Sequence, residues 1–403
     1  MNIKHELANL GKNLLEQVYI ADARRTKNRE FQDSRRVAIY DSVQLSQEQK
    51  AEIDRFYMEN YGKKISYIWH QHNMAFAGKF DLSFFPEILY IPEFERYMNL
   101  HRSYGKVFED KNLLAYLAKA AGIKAPRAYF SCTAGLIKDG EENILSRGAL
   151  LERAADLGKA FIKPTTGTSS GESCCLVDLS GGIDRLTGMP LASLPPLVRG
   201  ENWVIQECIQ CHKSIADVYP DSVNTFRIIT YRWRDEICHM PVAMRFGQGG
   251  VNVDNTHAGG MFLALEDDGE MHSTAYTEFL DRYTKHPDTG VIFAEHSVPL
   301  LPKAIAAAVK MHTLLPQIGV VNWDLTIDRQ GEPVLIEANI NGGSIDLPQL
   351  SHGKGAFGEK TGEVLRWMKF MGGIRQTERI HYAFGKMPGD EGESPAAGAS
   401  NLC

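Results

Sequence analysis

Residues 319–346, GVVNWDLTIDRQGEPVLIEANINGGSID, decide how the rest of the chain is read. VNWDLTID alternates and is rich in β-formers, DRQGEP carries turn chemistry, and PVLIEAN is a second apolar run. The stretch therefore predicts two strands joined by a turn, with a glycine-rich exit loop. Glu337 and Asn339 are two apart, so both side chains leave the same face of their strand. If the strands pair as a hairpin, Asp324 reaches that face too. Two carboxylates and an amide oxygen are hard ligands suited to Mg²⁺, which keeps several waters and bridges phosphate oxygens. In isolation the pattern also describes a solvated acidic hairpin, and the remaining sequence has to separate the two.

Composition narrows the setting. A chain of 403 residues has room for two or three domains and a substantial core. Its 43% hydrophobic and 23% charged residues are those of an ordinary globular protein. A net charge of −6 supplies no overall basic field for nucleic acid or an anionic membrane. Residues 1–30 are amphipathic and charged, without the apolar core of a signal peptide. No apolar run approaches the roughly 20 residues of a membrane span. Seven cysteines, an odd number without scaffold-like spacing, suit a reducing cytosol. The expectation is a cytoplasmic protein with no nucleic-acid partner and no membrane span, its oligomeric state left open.

Upstream of the hairpin, AFIKPTTGTSSGESCCLVDL reads as strand, Gly/Ser/Thr loop and strand. Lys163 stands just before the loop, and Thr168, Ser169 and Ser170 lie within it. Such a loop can offer N–H groups and hydroxyls to phosphate oxygens, while the lysine places a point charge on the phosphate chain. It is not a Walker A loop, where the lysine follows the glycines; a mobile surface hairpin is the other reading. WVIQECIQCH is a strand with a polar end. Its Cys208–His212 segment has the c-type haem spacing, a coincidence because nothing signals export; a redox pair or zinc half-site is not expected either, since no partner CxxC exists. SVNTFRIITYRW and PVAMRF read as strands carrying Arg227 and Arg245, whose guanidinium forks suit bidentate contact with phosphate or carboxylate. Residues 301–318 form an amphipathic helix leading into the hairpin.

The beginning of the chain reads as helical. Residues 1–30 carry an apolar stripe. SQEQ at Ser46 has capping-box form and opens a helix running to Gly62. An aromatic-rich, irregular stretch follows, with His70 and His72 as a conceivable metal pair lacking a third ligand. Residues 106–122 read as one amphipathic helix carrying Lys111, and GEVLRWMKFM as the last helix. Residues 1–105 are expected to be a largely helical N-terminal domain and 106–375 the main domain. The main domain divides into a lid at about 112–205 and a C-terminal part at about 206–375. Residues 376–403 are an extension, with a disordered tail from about 386.

The order lysine, lysine plus Gly/Ser loop, strand with Glu207, arginines, then Asp324 and Glu337-x-Asn339 resembles the ATP-grasp superfamily. KAEIDRFYMENYG, GKFD, FFPEILYIPEFERYMN, EDKN, SVNTFRIIT, VDNTHAGG and the opening stretch resemble the sugar-transfer-associated ATP-grasp family, over roughly residues 47–371. The resemblance implies an α+β ATP-grasp fold, with two subdomains gripping ATP behind a largely helical N-terminal domain. It also implies an ATP-dependent, Mg²⁺-requiring carboxylate–amine ligase that works through an acyl phosphate. Its small-molecule carboxylate and amine, such as an amino acid and an amino sugar, would belong to polysaccharide or specialised metabolite biosynthesis. A small-molecule kinase and a non-catalytic nucleotide-binding partner are the alternatives.

Carried onto this sequence, Lys111, Lys163, Thr168, Ser169, Ser170 and Gln206 would hold ATP, with Glu207 and Asp217 (and His212) as hinge or ribose contacts. Asp324, Glu337 and Asn339 would hold the metal. Arg227 and Arg245 would stabilise the transferring phosphoryl group or orient the carboxylate substrate. Asn224, Asn255, Gly260, Asn341, Gly343 and Ser344 would line the acceptor side, with Gly342, partly through backbone N–H groups. The doubled cysteines and the CxxCH depart from the family pattern beside Glu207. His257 and His352 are the candidate bases, neither expected to be essential.

Overall fold

The computed structural model describes residues 3–166, 173–199, 202–252, 254–256 and 259–390. Thr168, Ser169, Ser170 and His257 therefore lie outside the described residues, as does the tail from 391. Two antiparallel sheets form the frame. The first contains β1 (Ala128–Thr133), β2 (Leu136–Asp139), β3 (Ile144–Leu145), β4 (Gly158–Pro164), β5 (Cys175–Ser180), β6 (Ile183–Asp184) and β7 (Trp203–Gln206). Its order is β3-β2-β1-β7-β4-β5-β6. The second contains β8 (Thr225–Trp233), β9 (Glu236–His239), β10 (Val242–Phe246), β11 (Met261–Leu265), β12 (Ala275–Tyr276), β13 (Arg282–Tyr283), β14 (Val320–Ile327) and β15 (Pro333–Asn339). Its order is β13-β12-β11-β10-β8-β14-β15, and β9 pairs with β8. The class is α+β, as expected.

The second sheet is covered on both faces, which is why β8 and β14 read as almost continuous apolar runs rather than alternating ones. On one face Ala304, Ala307, Ala308 and Met311 of the helix Leu301–Thr313 pack against Ile228, Leu325 and Leu335. The helix Lys111–Ala121 adds Leu114, Ala118 and Ala121 to the same cluster and lies beside β15. On the other face Ile229, Tyr231, Trp233 and Val320 share a cluster with Tyr57, Phe85, Phe94 and Tyr97 from the leading helices. Trp367 and Met368 of the closing helix Thr361–Gly373 complete that cluster. The leading helical segment and the second sheet thus bury a common core.

A buried asparagine fixes this junction. Asn99 Oδ1 accepts the Gly319 and Val320 N–H groups at 2.8 and 3.0 Å, and its Nδ2 donates to the Val320 and Ile340 carbonyls at 3.1 and 2.8 Å. One side chain so ties the start of β14 to the residue after β15.

Several elements differ from the sequence reading. Residues 106–122 are two helices, Arg102–Phe108 and Lys111–Ala121, because Asp110 accepts the Asn112 N–H at 2.8 Å and caps the second. The first of these runs across the expected domain boundary at 105. The aromatic stretch expected to be irregular holds the helix Ile68–Ala77 and a helical run over 87–98 with a π turn at Tyr90–Glu95. Its aromatics are buried on several sides, so no single apolar stripe marks it. The helix Ser34–Asp41 was not anticipated. The expected capping box is present: Ser46 Oγ accepts the Gln49 N–H at 3.2 Å, and Gln49 Oε1 accepts the Ser46 N–H at 2.8 Å. Within the segment expected to be disordered, Asp390 accepts the Met387 N–H at 2.9 Å. No helix among the described residues is long and apolar enough to cross a membrane.

Candidate active site

Strand register sets the site. Asp324 on β14 stands opposite Glu337 on β15 and opposite Arg227 on β8. On β10, Arg245 stands opposite Thr225, which is two residues from Arg227 and so on the same face. One face of the sheet therefore carries a row of ionic groups across four neighbouring strands. A bulge between Asp324 and Leu325 shifts the β14–β15 register immediately beyond Asp324.

The row is internally paired. Arg227 Nε donates to Asp324 Oδ1 at 2.8 Å and Arg245 Nη2 lies 3.1 Å from Asp324 Oδ2. Arg245 also donates to Thr225 Oγ1 at 2.8 Å and lies 3.3 Å from Asp254, to which Thr225 donates its hydroxyl hydrogen. Lys111 Nζ, at the start of its helix, lies 2.8 Å from Glu337 Oε1. Asn339 Nδ2 lies 3.4 Å from Asp324 Oδ2. Burial pushes the Asp324 carboxyl up, but Arg227 and Arg245 outweigh it and hold the group below its ordinary range. Asp254 goes the other way, raised by burial despite Arg245.

Lys163 faces this row from the first sheet. It is 5% exposed on β4, and burial, reinforced by the like charge of Lys111, depresses its ammonium to about 8 while Glu337 and Asp324 oppose the shift. The two sheets thus enclose a cleft of about 2080 Å³ that includes both lysines, both arginines, Asp324, Glu337 and Asn339. Gln206 and Glu207 border it where β7 ends. Glu207 is held there by the Arg127 backbone, accepting its N–H at 2.8 Å and donating its own N–H to the Arg127 carbonyl at 2.9 Å.

Other expected residues sit differently. Asp217 ends the short helix Lys213–Ala216, pairs with Lys213 and does not border the cleft; Asp221 does. Asn224 is a buried brace, donating to the Ile215 and Tyr219 carbonyls at 3.1 and 2.7 Å and accepting the Ser222 hydroxyl at 2.7 Å. Asn255 borders the cleft. Gly260 closes the turn behind it, where an added Cβ would lie 2.8 Å from the Asn255 carbonyl oxygen.

The exit loop also departs from expectation. Its N–H groups were expected to face the acceptor, but Gly342 donates to Glu95 at 2.8 Å and Gly343 to Glu95 at 3.1 Å. Ile340 and Asn341 donate to Glu109 at 3.0 and 2.8 Å. Glu95 comes from the leading helical segment, so the protein's own carboxylates hold the loop. Asn341, Gly343 and Ser344 still border the cleft.

Sequence reasoning missed the far end of the cleft, where the leading helices contribute. Lys27 pairs with Glu30 and Glu87 at 2.7 and 3.0 Å, and Arg36 with Glu278 at 2.6 Å. Asp346 lies beside them, pushed up to about 7 by burial and then by Glu87. These residues lie far apart along the chain and carry no shared motif. Asp254, also missed, had a signal, since it stands within VDNTHAGG.

The cysteine–histidine signals have structural explanations. Cys211 is buried with Sγ 3.4 Å from Thr326 Oγ1, and His212 Nδ1 accepts the Ser214 N–H at 3.3 Å as a helix cap. The His70 ring packs among Tyr57, Phe80 and Phe84. His352 does not border the cleft.

A family profile described as sugar-transfer associated ATP-grasp matches residues 91–363. No curated protein matches the chain. Among solved structures, the chain is similar to the VanG D-Ala:D-Ser ligase of Enterococcus faecalis, with 17% identity, 66% of this chain and 62% of that one covered, and a TM-score of 0.38. An L-amino acid ligase from Bacillus licheniformis matches with 15% identity, 60% and 44% coverage and a TM-score of 0.33. An ADP-bound N5-carboxyaminoimidazole synthetase from Staphylococcus aureus matches with 11% identity, 59% and 46% coverage and a TM-score of 0.35. The chain spans 62% of the first of these structures and somewhat under half the length of the other two.

Proposed function

Since the chain belongs to the sugar-transfer associated ATP-grasp family, we propose that it is an ATP-dependent, ADP-forming ligase that joins a carboxylate to an amine. The observation that carries this reading is the convergence of Lys163 from one sheet, Arg227, Arg245, Asp324 and Glu337 from the other, and Lys111 from the helix beside it, around one cleft. Phosphoryl transfer asks little covalent chemistry of a protein. It needs in-line positioning and neutralisation of charge on the phosphate oxygens. Lys111 and Lys163 supply point charges to the phosphate chain, and β7 with Glu207 and the following residues forms the edge against the base.

Glu337 and Asn339, with Asp324 beside them, offer hard oxygen donors of the type Mg²⁺ takes, so the donor set fits that ion. Held by these residues, Mg²⁺ would supply positive charge against the phosphate oxygens. Asp324 has a second task, since both its oxygens already orient arginines. Arg227 and Arg245 are thereby fixed before substrate arrives, and fixed donors stabilise developing charge without reorganising. A carboxylate oxygen attacking the γ-phosphorus expels ADP and leaves an acyl phosphate. The amine then attacks the acyl carbon, expelling phosphate and losing a proton. The mixed charges of Lys27, Arg36, Glu87, Glu278 and Asp346 at the far end favour a zwitterionic substrate such as an amino acid. An amino sugar is the counterpart we assign to the other side, in a cytoplasmic biosynthetic step.

The test is a matrix of amino acids and amino sugars with ATP and Mg²⁺, scoring ADP, phosphate and product mass together. Release of ADP and phosphate only when acid and amine are both present, with a product lighter by one water than their sum, supports the ligase. A stable phosphate ester on a hydroxyl substrate would replace it with a kinase. Nucleotide binding without turnover across the matrix would favour a non-catalytic partner.

A further inference from the structure

The turn after β11 folds Glu266 back beside His272. The Glu266 N–H donates to the Glu270 carbonyl at 2.9 Å and the His272 N–H to the Ala264 carbonyl at 3.0 Å. Gly269 allows this at φ +92°, in the left-handed region, pressed so closely on Val298 that a Cβ would lie 2.0 Å from its carbonyl oxygen. The helix Asp346–His352 packs on β11 and ends at this turn, which brings the His352 side chain, only 2% exposed, up to Glu266.

The hydrogen bonding there is incomplete in an informative way. His352 Nε2 lies 2.8 Å from the Val242 carbonyl oxygen, which can only accept, so Nε2 carries the ring proton. Nδ1 is then a lone pair. It is buried, has no hydrogen-bond partner, and faces Glu266 Oε1 at 3.7 Å, another acceptor. His272 Nε2 lies 2.7 Å from the same carboxylate oxygen. Lys354 approaches only the other oxygen, at 3.9 Å.

Two acceptors facing each other without a proton between them are costly unless a cation lies between. The three ligand atoms, two imidazole nitrogens and one carboxylate oxygen, lie within 4.8 Å of one another. We propose that Glu266, His272 and His352 form a divalent transition-metal site, with Zn²⁺ the ion whose ligand preferences match. The fourth tetrahedral position is left to water. The Val242 carbonyl would be the outer partner that fixes the His352 tautomer, as metal-bound histidines commonly require. None of the three residues borders the nucleotide cleft, so the site is separate from the Mg²⁺ donors and independent of the ligase reading. It would tie the helix that follows the acceptor loop to the β11 turn.

The test uses the full-length chain stripped with a chelator and titrated with Co²⁺, then Zn²⁺. Expected are visible d–d absorption saturating at one Co²⁺ per chain without a thiolate charge-transfer band, displacement by Zn²⁺, and a raised thermal unfolding midpoint. His272→Ala and Glu266→Gln, on a surface turn, should each weaken Zn²⁺ at least about tenfold. His352→Ala removes a buried ring and could unfold the helix end, so the two turn variants carry the test. Unchanged Zn²⁺ affinity in both, a thiolate-type Co²⁺ spectrum, or failure to bind one equivalent would overturn the proposal.

Discussion

Asp324 and Glu337 stand directly opposite each other on paired strands, yet their charges are matched by different cations: Arg227 and Arg245 on Asp324, and Lys111 on Glu337. The Lys111 pair joins a helix to the sheet edge, with Glu337 about a third exposed; the Asp324 pairs are buried. This difference separates the expected roles. We expect Glu337 to exchange Lys111 for a metal ion, whereas Asp324 is built into the arginine network.

Replacing Glu337 with Gln should therefore abolish Mg²⁺-dependent ATP turnover, by about 10²-fold or more, with little change in thermal stability. Coupled ADP release and a melting curve on the same preparation check it. Wild-type turnover would remove Glu337 from the metal set.

Arg227→Ala should lower turnover, and it should also destabilise the fold. Removing one partner of a buried ion pair leaves an uncompensated charge and costs about 3 kcal/mol or more. Arg245 remains on Asp324, which places the expected loss at the low end of that range. Urea unfolding measures it, and a loss below about 1 kcal/mol would contradict the buried network.

The depressed Lys163 predicts opposite pH trends for stability and binding. Its folded value of about 8 lies below the ordinary 10.5. Between those values the unfolded chain holds the proton and the folded chain does not, so this group makes the free protein more stable as pH rises through the window. Nucleotide binding needs the ammonium and should weaken over the same range. Calorimetric titration with ADP at pH 7 and pH 9, beside Lys163→Met, checks the binding trend, and urea unfolding of the free protein at the same two pH values checks the stability trend. A wild-type affinity that rises with pH would exclude Lys163 as a phosphate contact.

Asn99→Ala should be among the most destabilising single changes away from the cleft. It leaves the Gly319 and Val320 N–H groups and the Val320 and Ile340 carbonyls without the bonds Asn99 supplies. At about 1–3 kcal/mol for a buried polar group left unmet, a loss of at least about 3 kcal/mol is expected in denaturant unfolding. Hydrogen exchange at Val320 should accelerate alongside.

Glu95→Gln tests whether the acceptor loop is held from the leading segment. The amide keeps one acceptor oxygen for the Gly342 and Gly343 N–H groups but loses the charge. The expected outcome is a higher KM for the acid substrate with kcat changed less, since the loop would be positioned less firmly. Unchanged KM would place the contact in folding alone.

The sequence by itself determined the local elements and the chemical types at the site. The alternation and turn chemistry of 319–346 specify the β14–β15 hairpin, and period two puts Glu337 and Asn339 on one face. Cap residues located helix starts at Ser46 in advance, and at Asp110 only once the helix break was seen. The family blocks pointed to the two-sheet fold. Tertiary structure decided what those residues touch. That Asp324 would meet Arg227 depends on antiparallel pairing between strands almost a hundred residues apart. The loan of Glu95 and Glu109 to the exit loop depends on the leading helices sharing a core with β8 and β14. No local pattern encodes that juxtaposition, because the contact energy resides in pairs distant along the chain. The same reason hid Lys27 and Arg36 at the far end of the cleft, and the meeting of His352 with the Glu266–His272 turn.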